Sequence, residues 1–444
     1  MSNRFSVPPA QIADFVTALS GLDGFLCLGT QRGSSRRYSA MPERQWQFST
    51  ERETFDQAVD DILASHRVIA GTDRCGFIAG SLFYDAGGHT VPGFCSKKTT
   101  PGSVGWAALY FWQLEVTRQE ISTTATLVFD PACPPATRKQ VLALLAAPSP
   151  TEPADTFRMT RHFQACCTPG QYRKGVGQVL EYIQAGDCYQ ANLSQQFEGT
   201  FEGSPWQAWQ ALADAIPVPH GGYLDAGSWQ LLSVSPELFL EIDNGRVTSK
   251  PIKGTRPRSE DTHRDRTLAE DLVNNAKDRA ENLMIVDLIR NDLSHFCKPF
   301  SVKVPQLFEV ESYRNVHQLV STVTGLLKRG ITPFEAMLSA FPGGSITGAP
   351  KRRAMEIIDE LESHVRGPYC GTLFWWDANN HLVSNIAIRS LQTWPDGTIR
   401  AWAGCGIVAD SDPEDEYQES LSKIQRLLDT LEAMGGLQRS EGSA

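Results

Sequence analysis

The chain has 444 residues, 41% apolar and 21% charged, with a net charge of -10. It is long enough to bury a large core of one oversized domain or two to three ordinary ones, and its acidic balance excludes non-specific nucleic-acid binding while leaving room for a local cationic pocket. Ten cysteines include one adjacent pair, Cys166 and Cys167, and no C-x-x-C spacing, which excludes a zinc-ribbon site and a secreted disulfide framework.

In chain order, the stretch about 54–66, carrying FDQAVDDILASHR, has apolar residues at helical spacing. GFIAGSLFYDAG (76–87) reads as a strand whose glycines permit close backbone approach. Alternating runs at 105–116 and 121–129 follow, then APSPTEPAD (147–155), a linker by its Pro and Ser content. A helix is predicted over YRKGVGQVLEYIQAG, and Gly186-Asp187 turns it into the strand CYQANLSQQF (188–197). Strands are predicted at 229–234, 237–242 and 246–252. Leu268, Leu272, Ala276, Ala280 and Leu283 predict one long helix over 264–292. Another helix starts near Pro350, strands follow at 371–376, 382–389 and 398–403, and a terminal helix covers 413–433. Strand clusters alternating with amphipathic helices predict an α+β fold with large sheets. No segment is apolar enough to span a bilayer and the N-terminus lacks a signal peptide's apolar core, so the expectation is a soluble cytoplasmic protein with reduced thiols.

Five stretches can carry chemistry. In SKPIKGTRPR (249–258), Lys253 lies between an apolar run and a glycine turn. Such a lysine is either an ordinary exposed one or an amine held in a cleft, where desolvation favours its nucleophilic free form. The terminal helix carries an apolar stripe (Tyr417, Leu421, Ile424, Leu428, Leu431) and, rotated by roughly 110°, a polar one (Glu416, Glu419, Ser420, Lys423). The polar stripe is either solvated or, with a third carboxylate such as Glu281, a site for a hard cation. Glu281 is equally suited to an i,i+4 pair with Lys277. FPGGSITGAPK (341–351) is a glycine-rich helix entry in which Ser345 and Thr347 suit an anion, and Arg389 at a strand end can clamp a carboxylate or close a salt bridge. No cysteine sits in a glycine-flanked elbow, so no internal ammonia-generating site is expected.

PIKGT, AENLMIVDLIRNDL, GGSITGAPK, AIRS and GCGIVADSDPEDEYQES, in this order, resemble the chorismate-utilising enzyme family, and GDCYQANLSQQF and SVSPELF resemble its upstream motifs. The likeness is strong over about 165–430 and weaker before. It implies the family's fold, with large antiparallel sheets packed as a two-layer core and helices outside. It also implies an N-terminal region of anthranilate synthase component I type (1–145), a linker (146–164), a chorismate-binding catalytic domain (165–432) and a flexible tail (433–444).

Within the family, Lys253 is similar to the branch that makes 4-amino-4-deoxychorismate from chorismate and ammonia on the route to 4-aminobenzoate and folate. Anthranilate synthases have alanine there. Isochorismate and salicylate synthases place a water-activating lysine where this chain has Gln190. The resemblance implies that Lys253 attacks ring carbon 2 and that Glu237 is the general acid for the departing hydroxyl. It makes Glu281 and Glu419 magnesium ligands, with Glu416 auxiliary. Arg389, Tyr369, Lys423 and the Gly406 amide hold substrate carboxylates, and Gln190, His317 and Ser345 line the pocket. A separate glutaminase subunit supplies the ammonia. The chain departs from the family at GTLFWWD (371–377) and at SQQF. FLCLGTQRG (25–33) lacks the serine of the tryptophan-binding motif, which implies no strong inhibition by tryptophan.

Overall fold

The structure, a computed structural model, describes residues 3–29, 35–98, 102–119, 122–147, 155–313 and 316–435. Part of the expected linker (148–154), part of FLCLGTQRG (30–33) and most of the expected tail (436–444) lie outside the described residues.

Two antiparallel sheets of twelve and ten strands form the two layers. In the larger sheet the N-terminal strand Leu26–Gly29 pairs with Gly222–Asp225, and toward one end of the sheet Gln190–Glu202 pairs with Thr398–Ile407. The smaller sheet runs from Ile252–Pro257 through Val316–Leu326 to Thr372–Asp377, which pairs with the N-terminal strand Phe77–Leu82. The facing sheets bury one another's apolar side chains: Leu28, Leu224 and Leu231 meet Phe77, Leu373 and Trp375. Helices cover the outer faces, with Trp209, Ile424 and Leu428 on the larger sheet and Ile285, Phe334 and Met355 on the smaller. This is the expected α+β architecture of two layers with helices outside. Among the described residues no helix is long and apolar enough to cross a membrane.

The first 145 residues contribute strands to both sheets instead of forming a layer of their own. Part of the expected linker is structured too: Arg158–Ala165 is a strand paired with Gln190–Glu202.

Local sequence places several boundaries where the pattern misleads. The run 105–116 is two strands, Ser103–Tyr110 in the smaller sheet and Trp112–Arg118 in the larger, so the chain changes layer at Phe111 with no glycine or proline to mark it. The helix expected over 264–292 is two helices, Thr262–Asn274 and Ala276–Phe296. Asn275 has an extended backbone (φ -66°, ψ 117°) and its side chain accepts from Asp278 N at 3.0 Å, capping the second helix. The strand expected over 382–389 ends at Asn385, and the chain crosses to the larger sheet at Ser390–Thr393. The terminal helix, Pro413–Met434, agrees with the expected range 413–433: Asp412 caps it, accepting from Glu414 N and Asp415 N at 2.8 and 3.1 Å, and Pro413 opens the first turn.

Candidate active site

The site lies where the chain passes between layers. Ser233 ends a strand of the larger sheet and Leu238 begins one of the smaller, with Glu237 on the link. Arg389 sits on the return crossing with φ 50°, a left-handed backbone that an arginine adopts only when its surroundings fix it. Between these crossings is a cavity of about 670 Å³, lined by Lys253, Glu237, Glu281, Glu416, Glu419, Ser345, Tyr369, Arg389, Gly406 and Lys423 among others. That volume is typical of a small-molecule site.

Lys253 is aimed by a bulge. The pairing of Ile252–Pro257 with Val316–Leu326 shifts register between Ile252 and Thr255, and Gly254 takes φ +78°. The extra residue turns the strand so that the lysine stem faces the cavity. Arg256 anchors the bulge to both neighbouring helices, 2.9 Å from Asp271 and 3.0 Å from Asp278, and Arg258 pairs with Asp265 at 2.9 Å. The second cationic cluster of this stretch is therefore neutralised by the protein.

Opposite Lys253, Gly406 lines the pocket; Gln190, expected there, lies behind that wall and is not part of the lining. A methyl group added at Gly406 would lie 3.0 Å from Gln190 Nε2 and 3.5 Å from Lys253 Nζ. Gln190 is 1% exposed, and neither atom of its amide has a hydrogen-bond partner among the described residues. Strand alternation puts Asn192 on the same face, opposite Gly406 in register, again with an unpartnered side-chain oxygen.

Glu237 is buried, and its Oε1 accepts from Ser345 Oγ at 2.9 Å. Burial pushes its carboxyl up to about 7, although Ser345, Lys253 and Lys423 pull the other way. A carboxyl that still holds its proton near neutrality can give it to a leaving group. The hydroxyls of the glycine-rich loop are thus committed to the protein: Ser345 to Glu237, and Thr347 to Gly343 O at 3.1 Å. Gly344 lies against Leu288, so the loop packs on the helix Ala276–Phe296 and positions the acid.

The other three carboxylates gather at one end. Burial raises the Glu281 carboxyl; Lys253 and Lys277 oppose this, while Glu419 and Asp278 reinforce it. Burial also opposes the charge of Glu419, but Lys423 at 2.7 Å outweighs it and its carboxyl titrates below the ordinary range. Burial likewise works against the charge on Lys423, and Cys405 and Glu419 beside it more than offset that. Oxygens of Glu416 and Glu419 and the Cys405 sulfur lie within 4.8 Å of one another. Cys405 itself is buried in an apolar cluster with Tyr172 and Leu193. Glu281 and Glu419 repel one another across the cavity, and with Glu416 they present carboxylate oxygens of the kind that would hold a hard dication such as magnesium.

His317 does not line the cavity. Its ring bonds Asp265 at 3.0 Å and Ser312 at 2.8 Å, and the adjacent Gln318 faces the pocket instead. Sequence reading also missed Asn192, Lys277 and Trp402 in the lining. A step of two from Gln190 was signal enough for Asn192, whereas the others carry none. Nor did it find Arg366, fully buried, whose guanidinium bonds Glu362 at 2.7 Å, Asn192 O at 2.6 Å and Ile346 O at 3.2 Å. That pair ties the Gln190 strand to the loop that carries Ser345.

Residues 23–429 match the protein family described as chorismate binding enzyme. Aminodeoxychorismate synthase component 1 of Salmonella typhimurium is 44% identical over 324 residues, 73% of this chain and 69% of that protein. Anthranilate synthase component 1 of Thermus thermophilus is 41% identical over 288 residues, 65% of this chain and 62% of that protein. Among solved structures, anthranilate synthase component I from Streptococcus pneumoniae superposes with a TM-score of 0.76 at 27% identity, covering 89% of this chain and 92% of that one.

Proposed function

The chain belongs to the family of chorismate binding enzymes, and from that premise we propose that it converts chorismate and ammonia into 4-amino-4-deoxychorismate through a covalent adduct on Lys253. The observation that carries this reading is the primary amine of Lys253 at the Gly406 wall of a cavity that also holds a protonatable glutamate and a carboxylate cluster.

Lys253 Nζ forms a bond to ring carbon 2 while both ring double bonds shift by one position and the bond from carbon 4 to its hydroxyl breaks. Glu237 gives its proton to that hydroxyl, which leaves as water. Ammonia then bonds to carbon 4, both double bonds shift back, the bond from carbon 2 to Lys253 breaks to restore the neutral amine, and the new carbon 4 ammonium returns a proton to Glu237. Arg389, Lys423, Tyr369 and the Gly406 amide face the carboxylates of the dianion, and the closed walls strengthen each of these interactions. Glu281, Glu416 and Glu419 would hold magnesium, whose charge draws electron density from the ring carboxylate when bound. Ammonia comes from a separate glutaminase subunit. The relatives' name, component 1, supports such a partner.

Anthranilate formation is the second reading, favoured by the relatives that carry that name. Lys253 argues against it, since the resemblance puts alanine there in anthranilate synthases. Incubation with chorismate, magnesium and ammonia separates the two. We expect a non-fluorescent product that yields 4-aminobenzoate only after a lyase is added. Direct appearance of fluorescent anthranilate would overturn the proposal.

A further inference from the structure

A second cavity of about 160 Å³ adjoins the catalytic one, sharing Arg389, Lys423, Gln318, Ser422 and Pro236 with it. Its outer wall is the turn from Pro217 to Pro219, and Arg426 lies at its rim on the terminal helix, one turn beyond Lys423. Its described lining holds three cations and no acid, in a chain whose net charge is -10. Lys423 is paired with Glu419. Arg426 donates to one backbone carbonyl, Ala215 O at 2.6 Å. The Arg389 guanidinium makes no hydrogen bond or ion pair among the described residues, and burial together with the charge of Arg426 works against its own charge.

Guanidinium groups that repel one another in a partly dry cavity are costly until an anion comes between them. The space is too small for a whole substrate by the usual size of ligand pockets but admits a carboxylate-bearing arm. We propose that this cavity is an antechamber that takes one carboxylate of the incoming substrate between Arg426 and Arg389 before the ring enters the catalytic cavity. The ligand class is a small dicarboxylate, and the inference rests on the functional reading above. Arg426 touches no reacting atom. Its part is to capture and orient, through the field of a cationic cleft with low-dielectric walls.

The test compares wild-type protein with Arg426→Gln, Arg426→Lys and Arg426→Glu, using chorismate, magnesium and ammonia at several ionic strengths. Arg426→Gln keeps a donor for Ala215 O but removes the charge. We expect kcat/KM to fall roughly fivefold at low salt with kcat unchanged, and its salt dependence to flatten. Arg426→Lys should retain most of the wild-type value and Arg426→Glu should lose more than Arg426→Gln. Wild-type kcat/KM and salt dependence in Arg426→Gln would overturn the antechamber, as would an equal fall in kcat. Absence of turnover in the wild-type protein would count against the functional reading alone. The antechamber is then judged from the association rate of chorismate, read by stopped-flow quenching of Trp402, with the same ranking of variants expected.

Discussion

Glu237 shows how position sets chemistry at the scale of one residue. A carboxyl raised by burial to about 7 favours the folded state fully below the unfolded value and loses that contribution as pH rises through about 7. Glu237→Gln keeps the volume and can still bond Ser345 without ever ionising. Its Tm should equal that of the wild type near pH 4.5 and exceed it at pH 8, by up to roughly 3 kcal/mol of stability. Turnover should fall by about 10²–10⁴, and the alkaline limb centred near pH 7 should disappear from the kcat/KM profile, which titrates the free enzyme. A wild-type limb surviving in the variant would assign it to another group. The acid function proposed for Glu237 was not legible by local physics, because its burial comes from a crossing between sheets that pairs residues far apart in sequence. Lys253 was better marked: the glycine after it is the one residue that tolerates the left-handed turn of the bulge.

The elements around the site repeat that contrast. A helix signal with a mechanism, the proline at Pro350, located its element to within a residue, the helix Lys351–Leu361. Periodicity alone ran two helices together across Asn275, because the cap between them preserves the apolar phase. It likewise ran two strands together across Phe111, where only the choice of sheet changes. The bulge supplies a prediction at this scale. A methyl group at Gly254 would meet Asp278 and the Leu272 side chain, each at 2.8 Å, and would keep φ at +78°. Gly254→Ala should destabilise by about 1–3 kcal/mol and displace Lys253, lowering kcat by more than the loss of folded protein accounts for. Thermal denaturation and kinetics on the same sample check this; normal kcat with a lowered Tm would detach the bulge from the chemistry.

For the whole molecule, the sheets matter more than the division of the chain. The N-terminal strands pair with central strands of both layers, Leu26–Gly29 in one and Phe77–Leu82 in the other. A chain beginning at residue 146 would expose two hydrogen-bonding edges and half of the apolar interior. It should aggregate or lack near-ultraviolet dichroism, whereas a soluble, cooperatively unfolding product would mean that residues 165–432 fold alone. The layering was legible because strand clusters alternate with amphipathic helices. The sharing of both sheets by the two halves was not, since pairing partners leave no trace in one sequence.

The claim to which these scales converge is that an amine on a bulged strand bonds to carbon 2 of the substrate ring. Intact-protein mass spectrometry after mixing with chorismate and magnesium, ammonia withheld, tests it most directly. The account predicts a species heavier by chorismate less water, mapped by peptide digestion to Lys253 and missing from Lys253→Ala. An adduct retained by Lys253→Ala, or none in the wild-type protein while product still forms on adding ammonia, would contradict it.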